Sequence, residues 1–265
     1  MRARSTIFTL FMEYIYPERR ARVRDLITMM EVLGFSEAAV RAALSRSAKR
    51  GWVVPERRGR IAYYALSDRV YWQVRQVRRR LYETRTSWDG CFLLVLPEGP
   101  KERGERERFR REMALLGYGS LQSGVYLGAG VDLAATQELL AFYGLSAILF
   151  RAEHLGPKEE VLRAFPLKEA SAHYQTLFSN VPPVLEDPLL AFRTLTRLVH
   201  EMRKLLFLDP LLPPELLPPS FPGPFARERF LALRETLYRQ AEPFLKKLSL
   251  PLSALSPQGR VRNYV

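Results

Sequence analysis

"SEAAVRAALSRSAKRGW", residues 36–52, decides how the N-terminal third folds. Ser36 is a good helix N-cap, Glu37 favours the first turn, and Gly51 supplies a stop. Val40, Ala43 and Leu44 recur at helical spacing and form an inward face. The opposite face carries Ala38, Arg41, Ala42, Ser45, Arg46 and Lys49. Small side chains let a helix enter a major groove, and Arg and Ser supply donors for base edges. An ordinary solvated face would look similar, so the neighbours must decide.

Two helical patterns precede it. Residues 5–15, "STIFTLFMEYI", place Ile7, Leu10, Phe11 and Tyr14 at helical spacing behind Ser5 as cap, and Pro17 ends the run. Residues 22–33 place Val23, Leu26, Ile27, Met30 and Leu33 on a second stripe, stopped by Gly34. After the quoted stretch, "WVVPERRGRIAYYAL" (52–66) reads as a β-hairpin with "PERRGR" as its turn. Three helices followed by a hairpin are a winged helix-turn-helix pattern. In that arrangement Arg41, Ser45 and Arg46 face base edges, with Ser36 and Lys49 on the same helix. Arg57, Arg58 and Arg60, beside Gly59, suit phosphates or a minor groove, and Arg4 suits a phosphate near the first helix.

Charge supports that reading. The 265-residue chain has a formal charge of +13. Residues 1–85 hold 19 Lys/Arg against 8 Asp/Glu, a net of +11, and the remainder 22 against 20, a net of +2. A generally Arg-rich surface would spread the excess along the chain. The concentration points to a polyanionic partner for the first third. The chain is 47% apolar, enough for globular cores. No run approaches the roughly 18–20 apolar residues of a bilayer span. The first residues are basic then apolar, but Glu13 interrupts them and no small-residue cleavage site follows, so no export leader is expected. One cysteine, Cys91, excludes a disulfide within the monomer and fits a reducing, cytoplasmic compartment. Its apolar surroundings predict a strand core residue.

Residues 68–85 predict a fourth, connecting helix with Val70, Val74, Val77 and Leu81 on one stripe. "CFLLVLP" is a strand, followed by a charged helix with Phe109, Met113 and Leu116 inward and Gly117 as stop. "YGSLQSGVYLG" (118–128) reads as two strands bent at Gly124, then an Asp132-capped helix ends at Gly144 before "SAILFR". This βαββαβ order predicts a ferredoxin-like domain. Helices are expected near 167–179, 188–207 and 225–247, with Asp187-Pro188 as an N-cap/N1 pair. "DPLLPPELLPPSFPGP" (209–224) reads as a rigid strap packed on the helices rather than a polyproline ligand. The whole is an α+β multidomain chain: a winged helix-turn-helix with its connecting helix over 1–85, a ferredoxin-like domain over 86–155, and a helical C-terminal domain over 156–265.

Several stretches resemble the PaaX-like transcriptional regulators, the phenylacetic acid degradation repressors. They are "RSTIFTLFMEY" (4–14), "SEAAVRAALSRSAKRGWV" (36–53), "YYALS" (63–67), "WDG" (88–90), "LGYGSLQSGVYL" (116–127) and "LVHEMRKLLFLDPLLPPELLP" (198–218). They run in order across nearly the whole chain, and together are more specific than any one alone. The resemblance implies a winged helix, a central ferredoxin-like domain and a helical C-terminal domain. It implies a homodimer on a double-stranded DNA operator, repressing catabolic genes for phenylacetate and released by an aryl-CoA thioester such as phenylacetyl-CoA. It places the recognition pattern on Arg41, Ser45 and Arg46. Ser47 departs from it, since the family usually has an apolar residue there.

An enzyme is not expected, and neither a cofactor nor a metal. His154, His173 and His200 match no zinc spacing, and "HEMRK" (200–204) lacks a second histidine. His200 and Glu201 are expected to form a structural pair. In "GYGSLQSG" Gln122 occupies the third glycine position of a dinucleotide fingerprint. The enzymatic alternative is a metal-dependent nuclease built on the central domain, like the small endoribonucleases of CRISPR systems. Its first strand, however, ends "VLPEG" with Glu98, and Asp89 precedes the strand. A further alternative is a DNA-binding protein without an effector. An acyl-CoA effector requires basic groups for phosphates and an apolar pocket. Arg193, Arg197, Arg203 and Lys204, with His200 and Tyr174, are the residues of suitable type.

Overall fold

The computed structural model describes residues 1–83, 88–179, 181 and 185–250. The expected fourth helix at 84–85, the expected boundary at 86–87 and the expected C-terminal domain beyond 250 lie outside the described residues. The chain groups into two units. One takes the described residues of Met1–Arg78, Asn180–Glu201 and Glu228–Val265; the other takes those of Arg79–Ser179 and Met202–Arg227.

In the first unit, α1 (Ala3–Leu10) winds on into a π-helical segment, Phe11–Ile15, whose five residues are all buried. The helix begins two residues before Ser5, behind Arg2, and Ser5 is no cap. Its carbonyl instead accepts the Thr9 hydroxyl at 3.1 Å. A short strand β1 (Arg20–Arg22) follows, then α2 (Val23–Val32) and α3 (Glu37–Lys49). The hairpin is β2 (Val53–Arg58) and β3 (Ile61–Leu66), and α4 (Asp68–Tyr82) follows it. The sheet order is β1-β3-β2, with Arg20 paired to Ala65 and Arg22 to Tyr63. "RAR" is too short to show a period, so sequence missed β1.

The turn is shorter than expected. Arg58 pairs with Ile61, which leaves Gly59 and Arg60 as the loop. Gly59 has φ +58°, and glycine at this first loop position suits the inverse turns that match strand twist. "PERR" therefore belongs to β2. Pro55 is tolerated there because β2 is the sheet edge.

Parts of two long helices, α9 (Pro188–Leu205) and α10 (Gly223–Leu245), complete this unit. Tyr14 shares a 2.8 Å hydrogen bond with Thr196, and its ring lies 5.1 Å from Phe192 and 6.3 Å from Tyr238. Glu13 is buried with Arg234, which donates from Nε at 2.7 Å and approaches equally closely through Nη2. The N-terminal helix thus finds its core partners in the last third of the chain.

The second unit contains β4 (Phe92–Pro97), α5 (Arg103–Leu116), β5 (Gly119–Gln122), β6 (Val125–Ala129), α6 (Leu133–Tyr143) and β7 (Ala147–Ala152). The four strands form an antiparallel sheet in the order β5-β6-β4-β7. The element order matches the expectation, including Gly124 at a bend with φ +78°. Two helices follow, α7 (Lys158–Leu162) and α8 (Leu167–Leu177); α7 was not anticipated.

Cross-strand pairing assigns the sheet faces. Phe92, Leu94, Leu127 and Ala129 share one; Val95 and Tyr126 share the other, where the Phe109 ring of α5 lies 5.7 Å from Tyr126. The proline-rich segment covers the first face. Leu212, Leu216 and Leu217 are buried with Phe92, Leu127, Ala129, Val161 and Phe165. The strap therefore packs largely on the sheet rather than on helices alone, because α5 leaves that apolar face open. Cys91 is half-buried and precedes β4, so it is not a strand core residue; its carbonyl accepts the Trp88 indole N–H at 2.8 Å. Among the described residues no helix is long and apolar enough to cross a membrane.

Candidate nucleic-acid interface

Helix α3 starts as its sequence dictates. The Ser36 hydroxyl oxygen accepts the Ala39 N–H at 3.3 Å. Ser36 is thus occupied in capping, with its O–H proton still available. Val40, Ala43 and Leu44 are buried, whereas Ala38, Arg41, Ser45, Arg46 and Lys49 are exposed and Ala42 is half-buried. Ser47 is buried, and its hydroxyl donates to the Ala43 carbonyl at 2.8 Å. That bond satisfies the buried hydroxyl within the helix itself.

Arg41 lies one turn from Glu37, and its Nε and Nη2 both sit 2.7 Å from the same carboxylate oxygen. Both side chains are more than half exposed, so this pair orients Arg41 more than it stabilises the helix. At the hairpin, Arg57, Arg58 and Arg60 are all exposed, and β2 packs against α3. The outer face of α3 and an arginine-tipped loop therefore belong to the same unit.

Arg4 stands at a basic corner. Its guanidinium lies 4.4 Å from the Trp52 ring centre, a cation–π contact. Partial burial, then the charges of Arg50 and Arg2, hold its pKa below the ordinary arginine value. Three mutually repelling guanidinium groups favour an anion beside them. Sequence reading found Arg4 but missed Arg2, Arg50 and Trp52. Their only signal was proximity to an element's end.

The six residues of effector-compatible type divide between the two units. Arg193, Arg197 and His200 belong to the first unit; Tyr174, Arg203 and Lys204 belong to the second. Arg193, Arg197 and Lys204 are exposed, and Arg203 is buried. His200 is buried with Nδ1 2.9 Å from the Thr9 hydroxyl, while Glu201 is exposed. His200 thus takes part in a tertiary contact within the first unit. Tyr174 donates to Asp209 Oδ2 at 2.6 Å, and burial, reinforced by Asp209, pushes its phenol far above the ordinary range. A cavity of about 740 Å³ in the second unit is lined by none of the six.

The nuclease alternative finds its carboxylates otherwise arranged. Asp89 accepts the Cys91 N–H at 2.9 Å and pairs with Arg151 at 2.8 Å. No group of three His, Cys, Asp or Glu positioned to hold a metal occurs among the described residues.

Helix and sheet are thus mixed in both units, each built on one antiparallel sheet. Comparison with known proteins specifies the class: residues 85–163 match the PaaX protein central Cas2-like domain. Residues 2–70 match the PaaX-like protein model, and 165–247 the PaaX-like protein C-terminal domain. The transcriptional repressor PaaX of Escherichia coli (strain K12) is 31% identical over 241 residues, covering 84% of this chain and 76% of that protein. The uncharacterized protein Rv0674 from Mycobacterium tuberculosis shares the fold with a TM-score of 0.57 and 22% identity, over 91% of this chain and 97% of the other. The chain belongs to the PaaX-like family of transcriptional regulators.

Proposed function

We propose that this protein is a DNA-binding transcriptional repressor whose first unit is a winged helix-turn-helix and whose central sheet domain is ferredoxin-like. One observation carries the reading. Helix α3 presents Arg41, Ser45, Arg46 and Lys49 to solvent among small side chains, and the hairpin in the same unit carries Arg57, Arg58 and Arg60. Helix α3 enters a major groove, with Arg41, Ser45 and Arg46 at base edges. The hairpin arginines grip the adjacent backbone or minor groove, and the corner of Arg2, Arg4 and Arg50 takes a phosphate.

The relative's name, a transcriptional repressor, supports the regulatory role. The finer reading is a cytoplasmic homodimer on a near-palindromic operator of phenylacetate catabolism genes, released by an aryl-CoA thioester. It rests on family membership. An effector would act by favouring a spacing of two reading heads that misfits the operator.

The test is fluorescence anisotropy on a panel of 30-bp duplexes from the upstream regions of this gene and its neighbours, at several salt concentrations. The expected result is at least one duplex bound about 10³-fold more tightly than scrambled DNA, with a steep salt slope. Equal affinity for all duplexes would sink sequence-specific repression.

A further inference from the structure

The second unit contains a cavity of about 740 Å³ that no role described so far uses. Its size is that of sites for drug-sized ligands. Strand β5, helix α5, the α7–α8 connection and the start of the strap form its walls. The connection is held against β5 at close range. Ser120 N–H donates to the Ala164 carbonyl at 3.2 Å. A Cβ on Gly119 would stand 2.5 Å from that carbonyl oxygen, so glycine is required for the approach.

The lining divides by chemistry. Tyr118, Tyr126, Leu162, Phe165, Phe207 and Leu208 provide an apolar, largely aromatic floor. Arg110, Arg163 and Lys168 stand with Glu159 and Glu169 along the rim. Arg110 is already paired with Glu107 at 2.9 Å. Arg163 and Lys168 are exposed and have no ion pair among the described residues. Helix α8 also opens here. Its N-cap is Pro166, without a side-chain cap, and Pro166, Leu167, Lys168 and the first-turn Glu169 line the cavity.

We infer that this cavity is a binding site for an organic anion with an aromatic or alkyl body. The apolar part lies on the Tyr126–Phe165–Phe207 floor, and the anionic group meets Arg163, Lys168 and the start of α8. That the occupant is an effector rests on the ligand-responsive repressor proposed above; that the cavity binds such an anion does not.

Two fluorescent probes separate the two halves of the site. 8-Anilinonaphthalene-1-sulfonate and N-phenyl-1-naphthylamine share an aromatic body and differ by the sulfonate. The full-length protein should bind the sulfonate saturably and about ten-fold more tightly than the neutral probe. Arg163→Glu with Lys168→Glu, both at exposed positions, should abolish that preference and leave the melting temperature unchanged. Ser120→Trp, which fills the cavity from an exposed position, should weaken both probes. The inference is overturned by no saturable binding, by equal affinity for both probes, or by unchanged sulfonate binding in the charge-reversed protein. A saturating probe that leaves DNA affinity unaltered would instead count against the effector reading, with the cavity assignment standing.

Discussion

Within the first unit, charged groups live in two opposite settings. On α3, Arg41 and Arg46 are exposed, spaced by small side chains, and Arg41 has a carboxylate neighbour on its own helix. In the core, Glu13 and Arg234 are sealed together, and His200 meets Thr9. The residue types overlap, but the surroundings do not. A solvated arginine remains available to a partner at little cost to the fold. A buried one is committed to its counter-charge, because taking either ion out of water unpaired is expensive.

Mutations should separate the two settings. The largest effect belongs to the core. Arg234→Ala removes a charged partner of the buried Glu13 carboxylate, and should cost about 3–5 kcal/mol in urea unfolding. The protein that remains folded should keep its DNA affinity. By contrast, Arg239→Ala breaks an exposed pair with Glu235 and should cost less than about 1 kcal/mol. Similar losses in the two variants would break the comparison.

The next effect belongs to the outer face. Arg46→Ala should cost about 1–3 kcal/mol of binding to the preferred duplex and relax discrimination, with the unfolding midpoint unchanged. Arg58→Ala should weaken every duplex alike and lower the salt slope by about one. Anisotropy titrations at four salt concentrations read both. If Arg58→Ala changed sequence preference while Arg46→Ala did not, the roles of helix and hairpin would be exchanged.

The smallest effect tests a group between the two settings. Asp25, on α2, is buried; one carboxylate oxygen, Oδ2, has no hydrogen-bond partner among the described residues, and burial raises its pKa above the ordinary aspartate value. A carboxyl group whose folded pKa exceeds its unfolded one binds its proton more tightly in the fold. Its contribution to stability is present at low pH and lost as pH rises through the folded value. Asp25→Asn should therefore melt above the parent at pH 7, and the advantage should vanish at pH 3. A constant difference across that range would refute the argument.

Much of the division of α3 into two faces was legible in the sequence. The inward set Val40, Ala43 and Leu44 and the outward set Arg41, Ser45 and Arg46 follow from a period of 3.6 residues. Ser47 resolved differently from a plain apolar residue, because a buried serine can return its hydroxyl to the carbonyl one turn back. The ends of elements were less secure. The α1 cap at Ser5, the six-residue hairpin turn and the strand placement of Cys91 each depended on a neighbouring strand or helix. Residue type alone chose the six effector candidates, and it says nothing about which side chains face one cavity.

Sequence alone determined what is encoded within a few residues. The Ser36 and Asp132 caps, the glycine stops at Gly117 and Gly144, the helical stripes and the concentration of positive charge in the first third needed no tertiary information. The folded structure decided what joins residues far apart. Glu13 meets Arg234 across 221 positions, β1 completes a sheet with β3, the strap closes one face of the central sheet, and an aromatic floor meets Arg163 and Lys168. Local hydrogen bonds and side-chain spacing bias each segment independently. Burial of apolar surface is settled only when all segments compete for the same partners.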